Sequence, residues 1–169
     1  AYVNWYDAIR FANWLNNGQG NGSTEVGAYT LGLLDQDAKP LNPQAVTRNP
    51  GAQVFLPSEN EWYKAAYHDK NAGLAASYFD FPTGTNAVPG IDITESTSPG
   101  NNANYYNNSG AIGSPHYRTV IGEFELSDSP YGTFDQGGNV QEWTETKLGR
   151  LSLVMRGGAF DNGYIRLHA

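Results

Sequence analysis

The first apolar positions of the chain recur every three or four residues, which is the spacing of one face of an α-helix. The residues on this face are Trp5, Ala8, Ile9, Ala12 and Leu15, and Phe11 and Trp14 widen it. Asn4 is a suitable N-cap, and Asp7 three residues later offers an acceptor to the first turn. The sequence Asn16-Asn17-Gly18 provides a left-handed stop. The pattern therefore predicts a helix from Asn4 to Asn17.

A second helical pattern follows Pro57. Ser58 and Glu61 have the spacing of a capping box, which satisfies two backbone donors at a helix start. The residues of this helix that should face the protein core are Trp62, Ala65 and Ala66. The helix is predicted to end near His68.

Residues 69–130 show almost no hydrophobic period. Gly, Pro, Asn, Ser and Thr dominate, with aromatic clusters at 78–81 and 104–106. Long structureless loops are uncommon in compact domains unless they are functional or held in place. Because Asn side chains imitate turns, we expect packed loops in which aromatic rings reach the core and Asn side chains bind the backbone.

Strand-like alternation returns near the C-terminal end of the chain. The first strand, the turn and the returning strand are predicted at residues 140–146, 147–150 and 151–156. Leu151, Leu153 and Met155 should then share one face. Two helices, one hairpin and long loops predict an α+β fold with few regular elements, as a single domain over residues 1–169.

Composition narrows the possible functions. Charged residues make up 16% of the 169 residues, and 10 basic against 17 acidic residues give a net charge of −7. A nucleic-acid surface needs clustered positive charge, so we expect no such partner. No apolar run approaches the roughly 20 residues of a membrane helix. The chain has no cysteine, which excludes thiolate metal sites and thiol catalysis by its own residues.

Four segments stand in a recognisable order. They read VNWYDA at 3–8, LPSENEW at 56–62, YGTFDQGGNVQEW at 131–143 and MRGGAF at 155–160. Together they resemble the formylglycine-generating enzyme, or sulfatase-modifying factor, family, and most closely its exported bacterial branch. The resemblance implies a loop-rich, C-type-lectin-like fold that usually holds calcium.

The resemblance also implies a calcium site in the glycine-rich segment. The ligands would be the backbone carbonyl oxygens of Gly137, Gly138 and Val140 and the side-chain carboxylate of Glu142. Such hard oxygens are the ligands that Ca²⁺ prefers. The residues alone also allow a glycine-rich turn with a paired carboxylate. A second calcium site of the family is degraded, because Asn104 matches its asparagine while Ser114 or a neighbour replaces its aspartate.

The resemblance does not extend to catalysis. The family's oxidases bind copper through two cysteines after the R-G-G segment, and by position these places fall on Asn162 and Leu167. Cu(I) prefers soft sulfur ligands, and neither an amide nor an isobutyl group can form a thiolate. We therefore expect neither copper nor formylglycine formation.

The first functional hypothesis is an extracytoplasmic, calcium-stabilised module that binds a protein or a small-molecule or glycan ligand. Some relatives use the loop after the R-G-G segment for recognition, which by resemblance makes Asn162, Tyr164 and Arg166 the ligand-binding residues. An ordinary exposed loop is the alternative. The chain has no initiator Met and stops abruptly after Ala169, so we expect a fragment of a longer protein, with its export signal elsewhere.

Two further hypotheses stay open. One is an oxidoreductase of the same family that uses another metal or a partner domain, with His116, His168 and nearby carboxylates as candidate ligands. The other is carbohydrate binding, which rests on analogy of fold alone, and fold does not carry function.

Overall fold

The computed structural model describes residues 3–73, 77–107, 112–113, 115–149 and 152–169. The regular elements in these ranges are helices α1 (Trp5–Asn16) and α2 (Glu59–Tyr67), strands β1 (Glu142–Leu148) and β2 (Ser152–Arg156), and two 3₁₀ turns, Pro43–Ala45 and Tyr164–Arg166. The predicted α+β fold with few regular elements is confirmed at this level.

Helix α1 agrees with its prediction at both ends. The Asn4 side chain accepts from the Asp7 backbone N–H, and the Asp7 side chain accepts from the Asn4 backbone, which completes a capping box. The helix ends at a C-cap on Asn17. The predicted apolar face was too wide, because Phe11 is 59% exposed while Asn13 is fully buried. Asn13 stays inside because its amide donates to Thr24 O and accepts from Tyr29 N.

Helix α2 begins directly after Ser58, as predicted. Its buried residues are Trp62, Ala66 and Tyr67. Ala65 lies only partly buried, so Tyr67 replaces it on the buried face. The helix is nine residues long, and its packing, rather than its length, must stabilise it.

The C-terminal hairpin is present but shifted. Strand β1 begins at Glu142, two residues later than predicted, and β2 covers Ser152–Arg156; Leu151 lies outside the described residues. The predicted apolar face of β2 was wrong, because Val154 is buried while Met155 is 41% exposed. Val154 faces inward, and its carbonyl accepts from the buried Thr144 hydroxyl.

The chain divides into two compact units. Unit 1 comprises residues 1–58 and 143–154, and unit 2 comprises residues 59–142 and 155–169. The prediction of a single domain over residues 1–169 stays a prediction.

Unit 1 is built around α1. Its hydrophobic core consists of Trp5, Ile9, Ala12, Ala28, Tyr29, Leu31 and Val46. Hydrogen bonds anchor both ends of this core: Trp5 Nε1 donates to Thr144 O over 2.9 Å, and the Tyr29 hydroxyl donates to Glu145. Unit 1 is therefore a helix and a hairpin held together by aromatic side chains.

Unit 2 consists mainly of turns and loops, as the composition of residues 69–130 predicted. Phe81 and Tyr105 are buried in one of its clusters, so aromatic residues of the loops do reach the core. Asn side chains fix the loop backbone, as expected: Asn102 Oδ1 accepts from Asp92 N, and Asn86 Oδ1 accepts from Asp80 N.

Candidate functional site

An indole–carboxylate hydrogen bond joins α2 to the start of β1. Trp62 Nε1 donates to Glu142 Oε2 over 2.5 Å. Burial raises the pKa of Glu142; the Trp62 hydrogen bond opposes this increase and the nearby Asp135 charge adds to it. Glu142 forms no ion pair with any residue that the structure describes. The carboxylate is thus half-buried and has no positive partner among the described residues.

Arg156, the last residue of β2, is bound to α2. Its Nη2 forms a charged hydrogen bond with Glu59 Oε1, and its guanidinium lies 5.6 Å from the centre of the Tyr63 ring. The Arg156 Nε is buried, with no hydrogen-bond partner in the described part of the chain. Charge and aromatic contact together fix the end of the hairpin.

Two glycines let backbone segments approach each other closely. Gly138 N donates to Gly157 O over 2.7 Å. A Cβ on Gly138, whose φ is +78°, would lie 2.1 Å from Asn104 O, and a Cβ on Gly157 would lie 2.7 Å from Gln136 O. Since any side chain at these positions would collide with backbone atoms, glycine is required at both.

A buried amide network lies next to this crossing. Asn104 Nδ2 donates to Tyr117 O and to Asn139 Oδ1, over 2.9 and 3.3 Å. The Asn139 amide exchanges hydrogen bonds with the backbone N–H and carbonyl of Thr119. Asn104 Oδ1 and Thr119 Oγ1 are buried and have no partner among the described residues. Such orphaned oxygens mark places where a water or an ion completes a site.

The loop after the R-G-G segment is closed on itself. Asn162 Oδ1 accepts from Ala159 N over 3.1 Å, and Asn162 O accepts from Tyr106 N over 2.9 Å. Leu167 is fully buried in the cluster with Phe81 and Tyr105. Both side chains are therefore structural: one holds the loop and the other fills the core.

Three of the four sequence segments meet in unit 2, through Glu59, Trp62, Gly138, Glu142, Arg156 and Gly157. A model of the sulfatase-modifying factor enzyme 1-like domain family matches residues 1–168. The chain belongs to this family. Searches of curated proteins and of solved structures each returned no match.

The sulfatase-modifying factor signature thus has a physical role in unit 2. Glu59 and Trp62 on α2 bind Arg156 and Glu142 of the same unit, and the glycines of the signature allow the backbone to cross. The resemblance inferred from the sequence is confirmed at the level of the family.

The four residues expected to bind calcium differ from one another in burial and in hydrogen-bond partners. Gly138 is buried and bridged to Asn104, and Gly137 packs so that a Cβ would lie 2.7 Å from Pro82 Cγ. Val140 is largely exposed, and Glu142 binds Trp62. The donor chemistry fits calcium, because a half-buried carboxylate without an ion-pair partner among the described residues favours a hard cation, as do the orphaned oxygens of the nearby Asn104 network. Ser114, expected at the degraded second site, lies outside the described residues.

The three expected ligand-binding residues do not line one pocket. Tyr164 lines an open pocket in unit 2 with Tyr105 and Tyr106. The Asn162 side chain is turned into its own loop, and Arg166 is exposed but does not line the pocket. Sequence reasoning missed Tyr106, because its place beside Tyr164 depends on the hydrogen bond from its backbone N–H to Asn162 O.

The histidines of the oxidoreductase hypothesis lie apart from any acidic cluster. His168 Nε2 is 3.8 Å from Asp80 Oδ1, and its ring meets the edge of Phe81. His116 is exposed. Within the described ranges, no three His, Asp or Glu side chains converge on a possible metal position. Nor does any helix there have the length and apolar character needed to cross a membrane.

Proposed function

We propose that this sulfatase-modifying factor domain is a non-oxidase binding module: a C-type-lectin-like, calcium-stabilised domain exported from a bacterial cell, whose ligand is a protein or a small molecule or glycan. The observation that carries the proposal is the structural use of Asn162 and Leu167. At the positions where the family's oxidases have copper-binding thiols, this chain has a loop tie and a core side chain.

The loss of thiol chemistry leaves the scaffold intact. Tyr67 in α2 donates its hydroxyl to Leu167 O over 2.9 Å, so even the backbone at the second thiol position serves packing. A reactive thiol needs partial exposure, whereas the side chain at the second thiol position, Leu167, is fully buried. Ligand recognition needs no thiol. A surface held by hydrogen bonds between loops, as in unit 2, is sufficient for it.

Calcium would stabilise this surface. The residues that would hold the ion are Gly137, Gly138, Val140 and Glu142, the first three through their carbonyl oxygens. A bound Ca²⁺ would supply the positive charge that the half-buried Glu142 carboxylate lacks among the described residues. Such a charge offsets the cost of placing a carboxylate in the interior.

Thermal unfolding with and without calcium tests the metal. An ion bound only by the folded state, present at 100 times its Kd, adds about 2.7 kcal/mol, which corresponds to a rise of about 5 to 10 °C in Tm for a chain of this size. Glu142→Gln should lose most of this response. Glu125→Gln, which changes an exposed carboxylate, should keep it.

Two results would contradict the proposal. A wild-type Tm that is the same in EDTA and in calcium would contradict the proposal that calcium stabilises the domain. Conversion of a sulfatase-derived peptide thiol to an aldehyde by the purified chain would remove the binding-module function itself. Because the two assays are independent, each part of the proposal can fail separately.

A further inference from the structure

Unit 2 contains an open pocket of about 330 Å³. None of the signature residues Glu59, Trp62, Gly138, Glu142, Arg156 and Gly157 lines it. Its lining residues are Tyr105, Tyr106, Asn107, Gly163, Tyr164 and Ile165. Ligand pockets usually have volumes of about 300 to 1,000 Å³, so this one suits a single small ring or one unit of a larger ligand.

The two walls of the pocket are held by backbone hydrogen bonds. Tyr106 N donates to Asn162 O over 2.9 Å, which ties one wall to the other. The 3₁₀ turn is closed by Arg166 N donating to Gly163 O and by Leu167 N donating to Tyr164 O. Since these bonds exist before any ligand arrives, little ordering cost is left for binding.

The pocket presents tyrosine rings to solvent. Tyr106 is 50% exposed and Tyr164 is 44% exposed. The Tyr164 ring is supported by Phe81, with ring centres 6.4 Å apart. Tyr105, which also lines the pocket, is buried, and its hydroxyl donates to Pro89 O over 2.6 Å. The Tyr164 ring therefore rests on a buried aromatic neighbour, and tyrosine offers an apolar face and a polar edge at low entropic cost.

The charge of the lining limits the ligand. The lining residues are tyrosines, an amide, a glycine and an isoleucine, so the lining contains no acidic or basic side chain of the Asp, Glu, Lys, Arg or His type. Burial, with a smaller contribution from the Tyr164 phenol, raises the pKa of Tyr105, which keeps that phenol neutral. An ionised ligand would lose hydration here without gaining a counter-charge.

We propose that this pocket binds one neutral pyranose ring of a glycan, with the apolar C–H face of the sugar against the exposed rings of Tyr106 and Tyr164 and its hydroxyls towards solvent and the phenol groups. This inference rests on the proposed binding function and gives that function a ligand class. A pyranose matches the pocket because it combines an apolar face, several hydroxyls and no charge. A hydrocarbon would favour a closed pocket, whereas this one is open with phenols at its rim.

The experiment is an NMR titration of the whole chain with methyl β-D-glucopyranoside, methyl β-D-galactopyranoside and methyl N-acetyl-β-D-glucosaminide. At least one should cause saturable shifts of the Tyr106, Gly163 and Tyr164 amides. Small rings in shallow pockets bind weakly, so we expect a Kd of about 1 to 10 mM. Methyl β-D-glucuronide, which adds a carboxylate to the same ring, should bind at least several-fold more weakly.

Two variants and one control make the test specific. Tyr164→Ala should weaken binding by about tenfold, the value of one lost aromatic contact. Tyr131→Ala removes a tyrosine of matching exposure, 42%, outside the pocket lining and should leave the Kd unchanged. Gly163→Leu should block the pocket and keep the fold, because its φ is −70° and a Cβ there meets no atom within 4 Å.

Each outcome decides the inference. Saturable binding that is weakened about tenfold in Tyr164→Ala and lost in Gly163→Leu, but kept in Tyr131→Ala, supports it. Absence of shifts with all three glycosides at 100 mM, equal binding of the glucuronide, or unchanged binding in Gly163→Leu overturns it. Failure here leaves the binding-module proposal intact, because that proposal is judged by the calcium response and by the aldehyde assay.

Discussion

Units 1 and 2 are stabilised in different ways. In unit 1, large side chains fill the space beside α1, and Trp5 and Tyr29 each combine burial with a hydrogen bond. In unit 2, backbone segments cross at Gly138 and Gly157, where no side chain would fit. Unit 1 should therefore be sensitive to the loss of side-chain volume, and unit 2 to its gain.

The difference also separates fold from function. The family's signature residues in unit 2 hold α2, the hairpin end and the loops in place, and the candidate calcium and sugar sites lie on that framework. Binding residues are often found on loops that a rigid scaffold positions. In unit 2 the scaffold consists of loops too, so its rigidity depends on close backbone contacts.

The largest effect is expected at Trp5 in unit 1. Trp5→Ala should lower the free energy of unfolding by about 3 to 5 kcal/mol, because it removes a buried indole and leaves a cavity. Phe11→Ala changes another aromatic residue of α1, but one that is 59% exposed, and should change stability by no more than about 0.5 kcal/mol. Urea denaturation followed by circular dichroism measures both. Equal losses would show that α1 is not packed through its Trp5 face.

A slightly smaller effect is expected at Gly138 in unit 2. Gly138→Ala should cost about 2 to 5 kcal/mol, since it adds left-handed strain to a collision with Asn104 O. Gly132→Ala is the matched control, because its φ is +74° but a Cβ there meets no atom within 4 Å. It should cost only about 1 to 2 kcal/mol. A similar loss in both variants would mean that conformational strain, and not the backbone crossing, makes glycine necessary.

In unit 1 the sequence predicted local features better than long-range contacts, for a physical reason. Helix α1 follows from a hydrophobic period and a capping pattern, both of which are local. The burial of Asn13 does not, because it depends on Thr24 and Tyr29, which approach only after the chain has folded. The inward face of β2 was wrong for a related reason: alternation marks two faces but does not say which one meets the core.

The candidate site shows the same limit. Gly138 and Glu142 could be selected because a family pattern contains them, and Asn104 was noted for the same reason. Thr119 and Tyr106 have no such signal. Their roles depend on backbone bonds between loops that are distant in sequence, such as Tyr106 N to Asn162 O, and no period or motif encodes these contacts.

The smallest predicted effect concerns the charged pair Arg10–Glu25 on the surface of unit 1. Arg10 Nε and Nη2 donate to the two carboxylate oxygens of Glu25 over 2.6 and 3.0 Å. The Arg10 hydrogen bonds lower the pKa of Glu25, against the opposing effect of burial. A carboxyl with a lowered folded-state pKa adds stability above its unfolded pKa of about 4.3, and this stability disappears as the pH falls through the folded value.

Glu25→Gln should therefore lower the free energy of unfolding by at most about 1 kcal/mol at pH 7, because Glu25 is 41% exposed and solvent screens the pair. The difference from wild type should shrink towards zero as the pH falls below about 4, and 0.5 M salt should reduce it at pH 7. Asp37→Asn, which breaks the more exposed pair with Lys39, should show almost no difference at any pH. Urea titrations at pH 7, 5 and 3.5 measure these values. A Glu25→Gln loss that stays constant across this range would mean that packing of the side chain, and not its charge, supports unit 1 at this position.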